Sequence, residues 1–264
     1  MSNYKLCNGC KDIKIDKHNQ IYSIIKSDSY KSEHLIPIFN NKNSGTDKTH
    51  ISLGKTYANC LIHYFSSQDK HQNTFEQKNV SYQNSINSGL KKLDNKGDAI
   101  LHLNCPQHYI EKGKAYMSHI HILVSNKNMT EWHKKIITIN VLCCINKSLV
   151  KSHLKANDRL FISALTPDDH ENISISNSFN LYYKDAIKMT PKQIQNKIKE
   201  MLDKHTKFSK YVKKNKIEFM NIPICIYCYN KDCSAGHQLA NQIYRAGFTN
   251  IIDYKGGTLD WNKK

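Results

Sequence analysis

The sequence predicts a two-domain chain: an all-β, sandwich-like region over residues 1–146, then an α/β domain with a central parallel sheet over 147–264. Three observations carry this reading. At 264 residues the chain is long for one domain and comfortable for two. Its first half holds short apolar runs separated by polar turns, with no helical period between them. From about residue 146 onward, strand-like runs alternate with helical patterns. That alternation implies a parallel sheet with ligands at the carboxyl ends of its strands.

Residues 1–50 are rich in Asn, Lys, Ser and Asp and are expected to be irregular, with short apolar patches at 21–25 (IYSII) and 35–39 (LIPIF). Strands are expected at 57–65 (YANCLIHYF), 99–103 (AILHL), 116–124 (YMSHIHILV) and 136–145 (IITINVLCCI). The polar stretch 66–95 reads as a long loop with one strand candidate at 80–82. In HIHILV the period of two puts His119 and His121 on one face and Ile120, Ile122 and Val124 on the other. Further on, a short helix at 148–155 precedes strands at 159–164 (RLFISA) and 179–182. Thr190 caps a long helix that starts with Pro191 and presents Ile194, Ile198, Met201 and Leu202 on its apolar face. Strand 222–227 (IPICIY), helix 234–246 stopped by Gly247, and strand 250–254 complete the pattern.

A hydrophobic content of 39% is enough to bury a core, which excludes a wholly disordered chain. The longest apolar stretch, 136–145, is ten residues long, against roughly 20 for a membrane-crossing helix. The N-terminus has no apolar core of the kind a secretory signal needs. A soluble, intracellular protein is expected. The net charge of +17 invites a nucleic-acid reading, yet only Arg159 and Arg245 are arginines among 39 basic residues. Arginine is the residue that grips phosphates and bases in planar geometry. The surplus of lysine therefore predicts non-specific attraction to polyanions and no dedicated nucleic-acid site.

The nine cysteines stand at 7, 10, 60, 105, 143, 144, 225, 228 and 233. An odd number at irregular spacing, without a signal peptide, argues against a disulfide framework. Cys228 stands where a buried strand ends and a loop turns into a helix. The backbone of Tyr229, Asn230, Lys231, Asp232, Cys233 and Ser234 is expected to curl into a cup with its N–H groups pointing inward. The positive end of the helix starting at Ser234 adds to that field. Together they favour a thiolate at Cys228, a nucleophile that can hold an anion against its sulfur. A cysteine-based phosphatase needs Arg six positions after the nucleophile, where this chain has Ser234. Cys233 forms a C-x4-C pair with Cys228 and reads either as a resolving thiol or as a small residue buried under the loop. Cys225, on the strand itself, reads as core.

The same stretch carries a resemblance. The strand–Cys loop–helix unit, RAGF (245–248), NIIDY (250–254) and the closing YKGGTLDW (254–261) are similar to the corresponding parts of the rhodanese family, the sulfurtransferase fold. SNSFNLYYKDA (176–186) extends the likeness over roughly 147–264. The resemblance implies an α/β domain in which Cys228 carries sulfane sulfur as a persulfide. The sulfur would come from a small donor and pass to a thiol or cyanide-like acceptor, with no cofactor. Two positions depart from the family pattern. Many members hold Arg at the last loop position, where it helps bind thiosulfate; here it is Cys233. The aspartate expected after the second strand is Ser163. Lys231 could restore some charge as a flexible point charge. The departures leave an alternative: a catalytically silent rhodanese fold serving as a protein-interaction or structural module, with a protein partner met through the N-terminal region.

Signals in the first half are thinner. Cys7-x2-Cys10 has the spacing of half a zinc knuckle, and a second pair is required. Gly113-x5-His119-x-His121 resembles the first cupin motif, in which two histidines on one strand face bind a metal. The acidic ligand expected three or four residues later is replaced by Val124 and Ser125, with His63, His102 and His108 as the remaining histidine partners considered. No metal is assigned, His119 and His121 being the candidates.

Overall fold

The computed structural model describes residues 47–67, 87–112 and 114–263, together with short strands at Tyr4–Leu6, Ile25–Lys26, Tyr30–Lys31, Ile36–Ile38 and Glu76–Gln77. Cys7, Cys10 and the strand candidate at 80–82 lie outside the described residues. The chain divides into two compact units, Met1–Val141 and Leu142–Lys264.

In the first unit the described elements are strands, with one 3-10 turn at Lys55–Tyr57. The principal strands are β1 (Asp47–Ser52), β2 (Leu61–Ser66), β3 (Ser88–Lys92), β4 (Asp98–Leu103), β5 (His119–Ser125) and β6 (Trp132–Cys144). Strands β3, β2, β5 and β6 pair antiparallel in that order, and β1 pairs antiparallel with β4. The register places Ile62, Tyr64, Ile120, Ile122, Ile137 and Ile139 on one face of the four-stranded sheet. His63, Phe65, His119, His121, Thr138 and Asn140 share the other. The histidine face is buried throughout, so it must find its polar partners inside the unit.

Strand β1 begins at Asp47, inside the stretch expected to be irregular, and three further segments differ from the sequence expectation. The run at 57–65 becomes strand only from Leu61, because Asn59 takes a left-handed φ of 62° that breaks the extended chain. The run at 116–124 splits into Lys114–Tyr116, paired with Tyr109–Glu111, and β5. Strand β3 lies inside the expected polar loop. It is an edge strand whose last three side chains are exposed, so its composition conceals it.

The second unit holds α1 (Lys147–Ala156), β7 (Leu160–Ser163), α2 (Pro167–Ile173), β8 (Phe179–Asn180), α3 (Pro191–Lys204), α4 (Thr206–Lys214), β9 (Ile224–Tyr227), α5 (Ala235–Arg245), β10 (Ile251–Tyr254) and α6 (Gly257–Trp261). The order β8-β7-β9-β10 continues to Cys143 and Cys144, which also belong to this unit, and each of these pairings is parallel. ICIY and IIDY are buried throughout because neighbouring strands and helices leave neither face wet. Helix α5 packs on β9 and β10 and against α3.

The start of α3 is a capping box. The Thr190 side chain accepts from the Gln193 N–H at 3.3 Å, and the Gln193 side chain accepts from the Thr190 N–H at 2.8 Å. Thr190→Ala is expected to lower stability by about 1 kcal/mol, read as a lower urea midpoint at unchanged slope; an unchanged midpoint would show that packing alone sets this helix start. Arg159 is buried, and its Nη1 donates to Ile224 O and Asn250 Oδ1, each at 3.3 Å. One of the two arginines is therefore spent inside the fold and cannot meet a phosphate. Among the described residues no helix is long and apolar enough to cross a membrane.

Candidate active site

Cys228 follows the last residue of β9, on the short link to α5. It is 7% exposed. The N–H groups of Tyr229 and Gly236 favour negative charge at its sulfur, and the neighbouring Cys233 thiol opposes it. Gly236 lets the helix start come this close: a Cβ there would lie 3.7 Å from Cys228 Cβ and 3.4 Å from Asp253 Oδ1. From the other side the loop is held by the residues after β10. Thr258 N–H donates to Cys228 O at 3.0 Å, and Leu259 N–H donates to Tyr229 O at 2.8 Å. Gly257, between β10 and these donors, has φ +61°.

The electrostatics correct one expectation. Burial pushes the Cys228 thiol up to about 12, and contact with Cys233 pushes it the same way. The N–H groups of Tyr229 and Gly236 work in the opposite direction and do not prevail. Desolvation is the larger effect and acts against the thiolate expected from the loop and helix start.

The cup differs as well. Asp232 N–H donates to Asn230 Oδ1 at 3.1 Å, and Cys233 N–H donates to Asn230 O at 3.2 Å. Those two amides close a turn inside the loop instead of facing an anion. Tyr229, Lys231, Asp232 and Ser234 are exposed, and Asn230 and Cys233 are half-buried. Ser234 is the N-cap of α5, but its side chain makes no capping bond and accepts from Gln238 Nε2 at 3.1 Å. Lys255 also brings positive charge to the loop, with Nζ donating to Cys233 O at 3.3 Å.

Asp253 and Lys255 were not picked out from the sequence. The signal for Asp253 was present: a single carboxylate inside an otherwise apolar strand run. It is 2% exposed, and burial raises its carboxyl to about 7 against the pull of Lys255. Cys225 is wholly buried in β9, and burial drives its thiol far upward. Ser163, where an aspartate was expected, is buried at the end of β7 and accepts the Leu165 N–H at 3.2 Å. Cys60, Cys225, Cys228 and Cys233 are free thiols. A cavity of about 370 Å³ beside β8, lined by Asn157, Asn177, Phe179 and His205 among others, includes none of the loop residues. His119 and His121 belong to the first unit.

Residues 146–264 match the Rhodanese-like domain family, and this C-terminal part of the chain is a rhodanese-like domain. No family matches the N-terminal part. Among solved structures, the human single-domain sulfurtransferase TSTD1 aligns at 12% identity and a TM-score of 0.32, over 46% of this chain and 97% of its own. No curated protein matches the chain.

Proposed function

We propose that residues 147–264 act as a sulfurtransferase domain that carries sulfane sulfur on Cys228, preceded by an all-β, sandwich-like domain. The observation that carries this reading is the place of Cys228 between β9 and α5, with Gly236 of the helix start packed close to it, where the N–H groups of Tyr229 and Gly236 favour negative charge at its sulfur. They stabilise negative charge at that atom when it forms. The donor class we propose is a small-molecule or protein persulfide, because Cys233 stands where an arginine would grip thiosulfate. With a persulfide donor R–S–S⁻, Cys228 sulfur bonds to the outer sulfur, the donor S–S bond breaks, and R–S leaves with the thiol proton as R–SH. A thiol acceptor then takes the outer sulfur by the reverse exchange.

The contact between the two thiols favours a second step at the same site. Cys233 attacks the inner sulfur of the Cys228 persulfide, a Cys228–Cys233 disulfide forms, and the outer sulfur leaves as hydrosulfide with the Cys233 proton. The raised Cys228 thiol and the inward-turned loop amides favour the opposite reading, a silent fold used as an interaction module.

Peptide-level mass spectrometry after separate exposure to a low-molecular-weight persulfide and to thiosulfate decides between them. The expected result is a gain of one sulfur at Cys228 from the persulfide, removed by cyanide and absent in Cys228→Ser. A Cys228–Cys233 disulfide with released sulfide would add the resolving step. An unmodified Cys228 thiol with both donors would overturn the catalytic reading and leave the interaction module.

A further inference from the structure

On the buried polar face of the first unit, three electron-rich atoms converge. His119 Nδ1 lies 2.6 Å from Met117 O. A carbonyl only accepts, so Nδ1 carries the proton and Nε2 presents its lone pair. That Nε2 is 3.1 Å from His121 Nε2 and 3.3 Å from the Tyr109 hydroxyl. His121 Nδ1 lies 2.9 Å from Thr138 Oγ1. Both imidazoles are thus oriented through Nδ1 by an oxygen, the arrangement that ligating histidines use to aim Nε2 at a metal.

The Nε2–Nε2 contact fits a bent N–H···N hydrogen bond, and its spacing also fits two ligands of one cation. A straight N–H···N bond of this length, along both ring axes, would hold the two ring centroids about 5.4 Å apart. They are 4.6 Å apart with the planes at 75°, so the two Nε2 axes do not lie on one line. Two neighbours, His121 Nε2 and the Tyr109 hydroxyl, also crowd a nitrogen that has a single lone pair to offer. Edge distances of 3.1 and 3.3 Å are those between adjacent ligands bound at about 2.0–2.2 Å to one cation.

We propose that His119, His121 and Tyr109 form a binding site for a divalent late first-row cation, with zinc or cobalt(II) as suitable probes. Two imidazoles and a phenol oxygen suit such borderline ions better than magnesium or calcium. All three side chains are buried, Tyr109 and His121 completely, so the ion is taken up as this unit folds. Among the described residues no group of three His, Cys, Asp or Glu gathers; the third donor is the tyrosine.

The test is cobalt(II) titration of the reduced full-length chain, read by visible absorption and by metal content after desalting. The expected result is one equivalent of cobalt(II) with a nitrogen–oxygen ligand-field spectrum and no thiolate charge-transfer band. His121→Asn should weaken binding at least about tenfold. Tyr109→Phe removes a single hydroxyl and should shift the spectrum and weaken binding, which keeps the test decisive if His121→Asn does not fold. Absence of a bound equivalent, a thiolate spectrum, or identical titrations for wild type and Tyr109→Phe would overturn the site. None of these readouts depends on chemistry at Cys228.

Discussion

Gly257→Ala is expected to destabilise the protein by about 2–5 kcal/mol and to unseat the Cys228 loop. Two costs combine at this position. Its φ of +61° lies in the left-handed region that a side chain resists. An added Cβ would also fall 2.4 Å from Cys228 O and 2.5 Å from the carbonyl carbon and oxygen of Tyr229. Those atoms are backbone and cannot swing aside, so the loop and α6 must separate. Separation breaks the bonds from Thr258 N–H to Cys228 O and from Leu259 N–H to Tyr229 O. Urea unfolding should show the loss of stability, and alkylation of Cys228 should accelerate as the thiol becomes exposed. A variant with wild-type stability and alkylation rate would mean that this backbone contact does not shape the site.

Asp253→Asn is expected to stabilise the protein at alkaline pH and to do little in acid. Burial raises the Asp253 carboxyl from 3.8 to about 7, so the folded protein binds this proton more tightly than the unfolded chain. The stability associated with the protonated, buried form is therefore complete below the unfolded value of 3.8 and is lost as pH rises through about 7. Above that, a desolvated carboxylate opposes folding, on the order of 4 kcal/mol at most for a shift of this size. Asparagine has nearly the same shape and does not ionise. The groups facing Asp253 are Cys228 beyond Gly236 and, in register, Cys144; Lys255 acts on it from just beyond the end of β10 and Cys225 from β9. Unfolding free energies should agree for the two proteins near about pH 4 and diverge toward about pH 9. A difference independent of pH would show that Asp253 keeps its charge at ordinary cost.

The strand–Cys228–helix unit was legible in the sequence because its signals are local. IPICIY reads as a buried strand and its last four residues form one, Gly247 closes α5, and Thr190 with Pro191 opens α3; each depends on neighbours within a few residues. The period of two in HIHILV likewise placed His119 and His121 on one face, and the structure brings their Nε2 atoms to 3.1 Å. Polar strands such as β3 were lost because an edge strand has little apolar side to show.

What the tertiary structure alone decided is the chemistry at those places. Whether Cys228 is a thiol or a thiolate depends on how far it is desolvated by α5 and by residues that follow β10, including Thr258. The same is true of Asp253, which reads as an ordinary carboxylate until α5 and the flanking strands remove its water. Tyr109 meets His119 across ten positions of sequence that carry no shared period. The sequence determined where the reactive atoms stand along the backbone, since caps, turns and alternation act over short range. Desolvation and convergence are sums over residues distant in the chain, and only the folded packing supplies them.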